Sequence, residues 1–582
     1  MKIIIKIMSA VTVLMLMTAC KGDLLDMTPY DSISSGSMWA TENLADKGVL
    51  GVYASLRTDF GGLYPYNYDQ FAVSTTSRNS APPLLRGTCT SSDGNFSSAW
   101  RELYEGISRA NDALANLSKA PLSASKLARL TAETKFLRAW YYYNLNVLFR
   151  GVPLYLEPTE LDGYTKARNT TDEVWKAILS DLNDCIAETN LPNKYAAGNG
   201  DYGRVTKGAA YTLRGKVYMW LKDYAKAEAD FRAVGDCGYS LFTGSYKQLF
   251  KEANEQSSEM IFSVQCYGLS GYGNDMSFRY GSRSSYGSCW NNYYPSADFV
   301  DSYQMQNGKE FNWDDFLPGY SSMTPAARSV YFLRDNMTAS EKASLAAKGA
   351  DMTKYLPTGN EARIKAVYAN RDPRLTASII TPYTEYLGAN GATDMTFTLR
   401  WPYRSDINDP HDIRTDTNAF YYYLYRKFVA EGASEIPNRA YSPIDIPVFR
   451  YADVLLLLAE ALNEQGKTTE AITYVNKVRA RAGVAQLNSN EYTQVSGQSD
   501  LRNRIQNERR WEFNGEGVTY FDELRWGTWQ AKKFYSGAGL KQIWGLTTEA
   551  YSYMGQYCET WAIPATECEM NTNLIQNTGW IN

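Results

Sequence analysis

The spacing Tyr211, Gly215, Tyr218, Ala227 and Phe231 returns as Leu455, Ala459, Leu462, Ala471 and Val475, more than two hundred residues further along the chain. That is the pattern of a tetratricopeptide helix pair, in which a small residue of the first helix lets the alanine of the second approach and a bulky side chain fills the gap. Each such pair leaves an apolar face that only a neighbouring helix pair can cover. Two pairs so far apart cannot form a simple tandem solenoid, so the helices before residue 200 must supply the missing partners. The expected architecture is mainly α: one helical scaffold over about residues 40–235 and 447–582, interrupted by one irregular, loop-rich insert over about 240–446.

Helical periodicity supports the first half of that scaffold. Trp100, Leu103, Tyr104, Ile107, Asn111 and Leu114 keep the i, i+3, i+4, i+7 rule, and Leu127, Leu130, Leu137, Tyr141, Leu145 and Leu148 continue it in a second long helix. A third helix is expected after the Thr170-Thr171-Asp172 capping signal, burying Val174, Ile178, Leu182 and Cys185, and a fourth from about Thr206 to Leu221. The insert is rich in Gly, Ser, Asn and Tyr, as is the stretch from Tyr64 to Ser98. Long irregular segments in a compact protein carry function.

Composition removes several function classes. Lys plus Arg number 59 against 63 for Asp plus Glu, with no long run of either sign, so no electrostatic footprint for nucleic acid exists. The single histidine, His411, rules out a multi-histidine metal site and leaves one imidazole for any triad; it reads as a turn residue. No Gly-x-Ser-x-Gly elbow, phosphate loop, His-Glu-x-x-His or EF-hand loop occurs. No cofactor and no metal site are expected. Asp314-Asp315 and Asp298/Asp301 are candidates for a glycosidase carboxyl pair only by lying in the insert, and sequence cannot give their separation. The Glu508 to Phe513 run, with Arg509, Arg510 and Glu512, reads as a salt-bridged structural network, Arg509 pairing across its own helical turn. Arg371, Asp372 and Arg374 read the same way.

The N-terminus is a targeting signal. Lys2 and Lys6 precede an apolar run that ends Leu16-Met17-Thr18-Ala19-Cys20, and Ile3 to Ala19 is 17 residues. As a helix that spans about 25 Å, short of the ~30 Å hydrocarbon core. The ending resembles a bacterial lipobox, giving a signal peptide over residues 1–19, lipidation at Cys20 and one mature domain over 20–582. The remaining cysteines, Cys89, Cys185, Cys237, Cys266, Cys289, Cys558 and Cys568, are odd in number and read mostly as buried thiols, with Cys266/Cys289 and Cys558/Cys568 as weak disulfide candidates.

The aromatic residues are the unusual feature. Tyr267, Tyr272, Phe278, Tyr280, Tyr286, Trp290, Tyr293 and Tyr294 crowd a segment rich in glycine and serine and poor in aliphatics. A sugar ring has an apolar C–H face and a hydroxyl rim, so its receptor needs flat rings edged by hydrogen-bonding groups. Trp290 is the leading candidate for a ligand-stacking face, followed by Tyr294 and Tyr286, then Tyr280 and Tyr272.

Seven runs in order resemble the SusD/RagB family of Bacteroidetes outer-membrane nutrient-binding lipoproteins: the lipobox followed by Leu24-Leu25-Asp26 and Pro29, the Trp100 to Asn111 helix, Asn370 to Arg374, Arg450 to Val454 leading into Ala459-Glu460-Ala461, Val475 to Gly483, Glu508 to Phe513, and Ile563-Pro564 to Asn577. The resemblance implies a SusD-like fold, no enzymatic activity, an oligosaccharide ligand, and a SusC-like TonB-dependent transporter as partner at the outer membrane. It also points to Arg78 and Asn79, in the first irregular stretch, as polar ligand contacts. A peptide ligand, associated with the RagB branch, is the nearest alternative, and a surface glycoside hydrolase a more distant one.

Overall fold

The computed structural model describes residues 38–405, 409–415 and 421–581. Its first half is built on six long helices, each of which begins on a side-chain cap. α1 (Glu42–Ala54) starts on Thr41, α2 (Gly94–Asn116) on Asp93, α3 (Ala124–Phe149) on Ser123, and α4 (Thr171–Ala187) on the Thr170/Glu173 capping box. α5 (Lys207–Trp220) starts on Thr206 and α6 (Tyr224–Asp236) on Asp223. Each cap satisfies an amide that the first helical turn leaves without a partner.

α3 departs from the sequence expectation of one buried stripe. From Phe136 to Phe149 every side chain is buried, because the helix has neighbours all round: Tyr141 Oη donates to the Val52 carbonyl of α1 at 2.7 Å, the Tyr143 ring lies 5.8 Å from Trp175 of α4, Phe136 meets Phe262 at 5.3 Å, and Phe149 meets Trp561 at 6.0 Å. A helix apolar on one face only would leave three of these neighbours without a core to pack on.

The interrupted array is rejoined by α7 (Tyr451–Glu464), α8 (Thr468–Ala482), α9 (Gln498–Glu512) and α10 (Thr519–Trp526). In the first pair Gly215 lets Phe231 in so closely that a Cβ would stand 2.5 Å from its ring. The second pair docks directly on the first. Gln465 Nε2 donates to Glu228 at 2.8 Å, and Lys216 pairs with Asp453 at 2.8 Å. The short strands include β1 (Thr75–Ser77), β2 (Met260–Val264), β3 (Tyr293–Pro295), β4 (Glu385–Asn390), β5 (Thr393–Thr398), β6 (His411–Asp412) and β7 (Ile446–Arg450). β2 and β7 run antiparallel, Met260 opposite Arg450 and Val264 opposite Ile446, so the two ends of the insert lie side by side at the scaffold surface. Between them β4 and β5 form an antiparallel pair extended by β6 in parallel, and the His411 ring sits 5.8 Å from Phe397.

Where scaffold and insert meet, the interior is ionic. Arg374, Lys427, Arg450, Arg479 and Arg481 face Glu259, Asp372, Glu508, Glu512 and Glu516 in one continuous network whose side chains are all buried. The structural role read from the Glu508 to Phe513 run is what the geometry displays, with one correction. Arg509 does not pair within its own turn; it reaches Asp453 of α7 and Asp522 of α10, both at 2.7 Å. Arg371 spends its guanidinium on the Val300 and Tyr303 carbonyls and on the Phe311 face.

The seven described cysteines are free thiols, so neither Cys266/Cys289 nor Cys558/Cys568 is bonded. Among the described residues no helix is long and apolar enough to cross a membrane. Cys20 and the apolar leader lie outside the described residues.

Candidate functional site

The two irregular regions come together through β1 and β3, which pair antiparallel with Thr76 opposite Tyr294 and Ser77 opposite Tyr293. The pairing continues past the strand end, where the Arg78 amide donates to the Asn292 carbonyl at 2.7 Å. A seam of rings backs this junction: Tyr66 stacks on Tyr293 at 5.0 Å and its hydroxyl donates a hydrogen bond to Asp275 at 2.8 Å.

The loop leading into β3 is bent by three residues in the left-handed region, Gly287 (φ 75°), Ser288 (φ 59°) and Asn291 (φ 39°). Glycine adopts that conformation freely and asparagine tolerates it, whereas Ser288 is held there by its surroundings. The bend lays the loop along residues 278–281: the Trp290 amide donates to the Phe278 carbonyl at 3.0 Å and the Asn291 amide to the Gly281 carbonyl at 2.7 Å. Trp290 is thereby braced. Its ring stands 4.8 Å from Phe278 while remaining 40% exposed, and its carbonyl accepts from Arg78 Nη1 at 2.9 Å. Asn79 follows Arg78 in the left-handed region (φ 69°) and is exposed. Arg78, Asn79 and Trp290, proposed from separate stretches of sequence, therefore occupy one surface.

The other sequence candidates divide. Tyr286 is half-buried beside this loop, its hydroxyl 3.5 Å from the Pro437 carbonyl. Tyr272 is 64% exposed on the Tyr267–Gly273 turn, which packs through Gly268 against the same Pro437 and through Gly273 against Tyr441. Tyr280 and Tyr294 cannot serve as stacking faces. Both are fully buried, Tyr280 stacked on Tyr425 at 4.1 Å and Tyr294 on Tyr422 at 4.9 Å with its hydroxyl accepting from Asn291 at 2.6 Å. A ring-dense, aliphatic-poor segment thus builds core here, because tyrosine rings stack on one another; the Tyr294 phenol has Asn291 as its partner, whereas the Tyr280 hydroxyl is enclosed without one among the described residues.

The carboxyl candidates are each engaged locally. Asp298 pairs with Lys541 at 3.0 Å and accepts from Tyr535, Asp315 pairs with Lys309 at 2.7 Å, and Asp314 accepts the Ser321 amide at 3.1 Å. Asp301 is enclosed, accepts from Trp313 Nε1 at 2.9 Å, and is pushed by burial up to about 7. The surface around Trp290 instead combines an open aromatic face with amide and guanidinium donors, which suits reversible binding of a ring-shaped polar ligand.

Sequence reasoning missed Arg283, Arg414 and Arg439. Arg439 Nη1 donates to the Gly287 and Ser288 carbonyls at 2.6 and 2.5 Å and its guanidinium lies 4.8 Å from the Phe278 centroid. Arg439 and Arg414 reach this region through contacts between segments over a hundred residues apart, for which a single sequence carries no signal, whereas Arg283 lies within the ring-rich segment itself, five residues from the Ser288 carbonyl it meets.

Comparison with known proteins adds an independent line. A family model described as "SusD family" matches residues 258–580, and one described as "Starch-binding associating with outer membrane" matches residues 23–219. The chain is 26% identical over 554 residues to SusD-like protein P25 of Formosa agariphila, covering 90% of each. Its fold is similar to that of a SusD-like protein of Bacteroides fragilis, with TM-score 0.73 at 22% identity over 95% of this chain and 100% of the other. It is also similar to a SusD-like carbohydrate-binding protein of the same species, with TM-score 0.70 at 22% identity over 92% and 100%.

Proposed function

The chain belongs to the SusD family, and from that premise we propose that it is a cell-surface lipoprotein that captures oligosaccharides and passes them to a SusC-like TonB-dependent transporter in the outer membrane. The observation that carries the binding reading is Trp290, a large ring left 40% exposed yet braced from behind by Phe278 and held at its carbonyl by Arg78. A tryptophan that only filled a core would be enclosed. Phe278 and Tyr286 widen the apolar face, while Asn79 and the arginines supply donors for hydroxyl groups. Burying about 50 to 100 Å² per stacked sugar ring contributes about 1 to 2 kcal/mol each. After the entropy of association, two or three stacks correspond to a dissociation constant in about the millimolar to high-micromolar range. The protein acts by binding and release, without hydrolysis.

Titration calorimetry against a panel of plant, algal and bacterial oligosaccharides is the test, followed by chromatography of the bound ligand after hours of incubation. Saturable binding with the ligand recovered at its original length is the expected outcome. Binding of peptides with no saccharide bound, or release of new reducing ends, would replace this reading by one of its alternatives.

The anchoring half of the proposal rests on Cys20 and the lipobox before it. Cys20→Ala, expressed in a Bacteroidetes host, is expected to move the protein from the outer-membrane fraction to the soluble one. Retention of the variant in the membrane would show that the anchor lies elsewhere.

A further inference from the structure

Lys533 is an ammonium buried without a carboxylate of its own. It ends the short helix α11 (Trp529–Lys533), is 4% exposed, and donates to the Ala72 carbonyl and, at 3.0 Å, to the Thr75 carbonyl at the start of β1. Two of its three N–H donors are used in this way, and carbonyls satisfy donors without neutralising the charge. The acidic groups that face it are Asp298 and Glu523, and each is already held by another cation, Asp298 by Lys541 at 3.0 Å and Glu523 by Arg510 at 2.7 Å. Nζ also stands 5.0 Å from the Tyr551 ring centroid. Burial pushes the ammonium down to about 7, with Asp298 and Glu523 opposing the shift only in part. An unpaired buried charge is costly wherever it stays unpaired.

Lys533 lines a cavity of about 350 Å³ whose wall also carries Asp298, Asn507, Arg510, Lys532 and Tyr535. Asp298, Lys532 and Tyr535 are exposed, so the cavity opens to solvent on their side. Arg510 of α9 brings an unused donor: Nε reaches Glu523, Nη1 reaches Asn507 at 2.7 Å, and the buried Nη2 has no hydrogen-bond partner among the described residues. Three cationic side chains therefore line one cavity, against a single lining carboxylate, Asp298, which Lys541 and Tyr535 already engage. None of the lining residues belongs to the Trp290 surface, so this is a separate place on the fold.

We propose that this cavity is a binding site for one small oxyanion, a carboxylate or sulfate group, held by Lys533, Arg510 and Lys532. The proposal does not depend on the oligosaccharide reading above. The anion supplies the counter-charge that the protein withholds from Lys533, and an ammonium beside a guanidinium suits an oxygen-rich group. A free inorganic ion and the acid group of a small sugar acid present the same chemistry, and the cavity lies in the size range of small-molecule sites. Occupation favours the protonated form of Lys533, so binding takes up a proton near neutral pH.

The experiment is titration calorimetry on the full mature protein at constant ionic strength, with sulfate, galacturonate and, as the neutral control, galactose. Both acids keep a fixed charge between about pH 6 and about pH 8.5, so a pH dependence belongs to the protein. Sulfate or galacturonate is expected to bind saturably, about tenfold more tightly at the lower pH than at the higher, with a buffer-dependent enthalpy that reports proton uptake. Galactose should show neither effect. Lys533→Met should flatten the pH profile, and Lys532→Gln, a change at an exposed position, should weaken binding about threefold. Circular dichroism and thermal melting establish that both variants fold; if Lys533→Met does not, the pH profile of the unaltered protein and Lys532→Gln carry the test. Sulfate bound alone assigns an inorganic ion, galacturonate alone a sugar acid, and both the shared chemistry. No saturable binding of either acid up to about 20 mM, or binding that is indifferent to pH and to the variants, would overturn the site.

Discussion

Arg450→Met is expected to destabilise the protein by about 3 to 5 kcal/mol, the range for removing one partner from a buried ionic cluster. Arg450 is fully buried at the end of β7 and donates to Glu259 at 2.8 Å, to Glu512 at 2.6 Å, and to both oxygens of Glu516 at 2.7 and 2.8 Å. Methionine fits the space and leaves three carboxylates short of one positive charge in a dry interior. The effect also has a pH signature. Burial pushes the Glu512 carboxyl up, but the Arg481, Arg450 and Arg374 guanidiniums overcome it and hold it at about 2. An unfolded-chain glutamate titrates near ~4.3. Glu512 therefore contributes stability that is fully present above that value and is lost as pH falls toward 2. Without Arg450 the native pKa rises, so the contribution shrinks and acid unfolding begins at a higher pH. Urea unfolding at pH 7 and at pH 4 measures both effects. A loss under about 1 kcal/mol would mean that the remaining arginines compensate and that the network is not the keystone of the scaffold–insert junction.

Trp290→Ala should do the opposite, weakening oligosaccharide binding about 5- to 30-fold, or about 1 to 2 kcal/mol, with the melting temperature nearly unchanged. Trp290 is 40% exposed and its ring packs on Phe278, while the loop beneath it is held by backbone hydrogen bonds that alanine keeps. Trp561→Ala is the contrast. That ring is fully enclosed among Phe60, Phe71, Phe96 and Phe149, with its Nε1 donating to Tyr520, and its truncation should cost about 3 to 5 kcal/mol of stability. Calorimetric binding and thermal melting on both variants separate the roles. If Trp290→Ala unfolds readily and binds normally once folded, the ring is packing and the platform must be sought at Tyr267 and Tyr272.

The scaffold was legible in the sequence because helices announce themselves locally. Thr170 with Glu173, the Trp100 to Asn111 spacing and the repeated Gly215/Ala459 positions each depend on residues a few places apart. The ionic network was legible as a role but not as a set of partners, since Arg509 finds its carboxylates on two other helices. The site was legible only in part. Tyr280, Tyr286 and Tyr294 look alike in sequence, and tyrosine is as much at home stacked in an interior as half out of it. What separates them is which ring another tyrosine covers, Tyr425 over Tyr280 and Tyr422 over Tyr294, partners more than a hundred residues away. Arg78 and Trp290 were chosen separately; the β1–β3 pairing that joins them carries no periodic signature in strands of three residues.

The docking of α7 on α6 across the insert also sets an order of events while the chain is being made. α6 ends at Asp236 and α7 begins at Tyr451, so the surface of the first helix pair that receives the second stays bare until the intervening segment has emerged. Closing so long a loop adds little free energy, because the entropy rises only with the logarithm of length. Time is the harder constraint. At about 5 to 20 residues per second the interval is about 10 to 40 s. Throughout it the nascent first half exposes an apolar helix face with no partner, which makes it a client for holding chaperones until its own C-terminal half arrives.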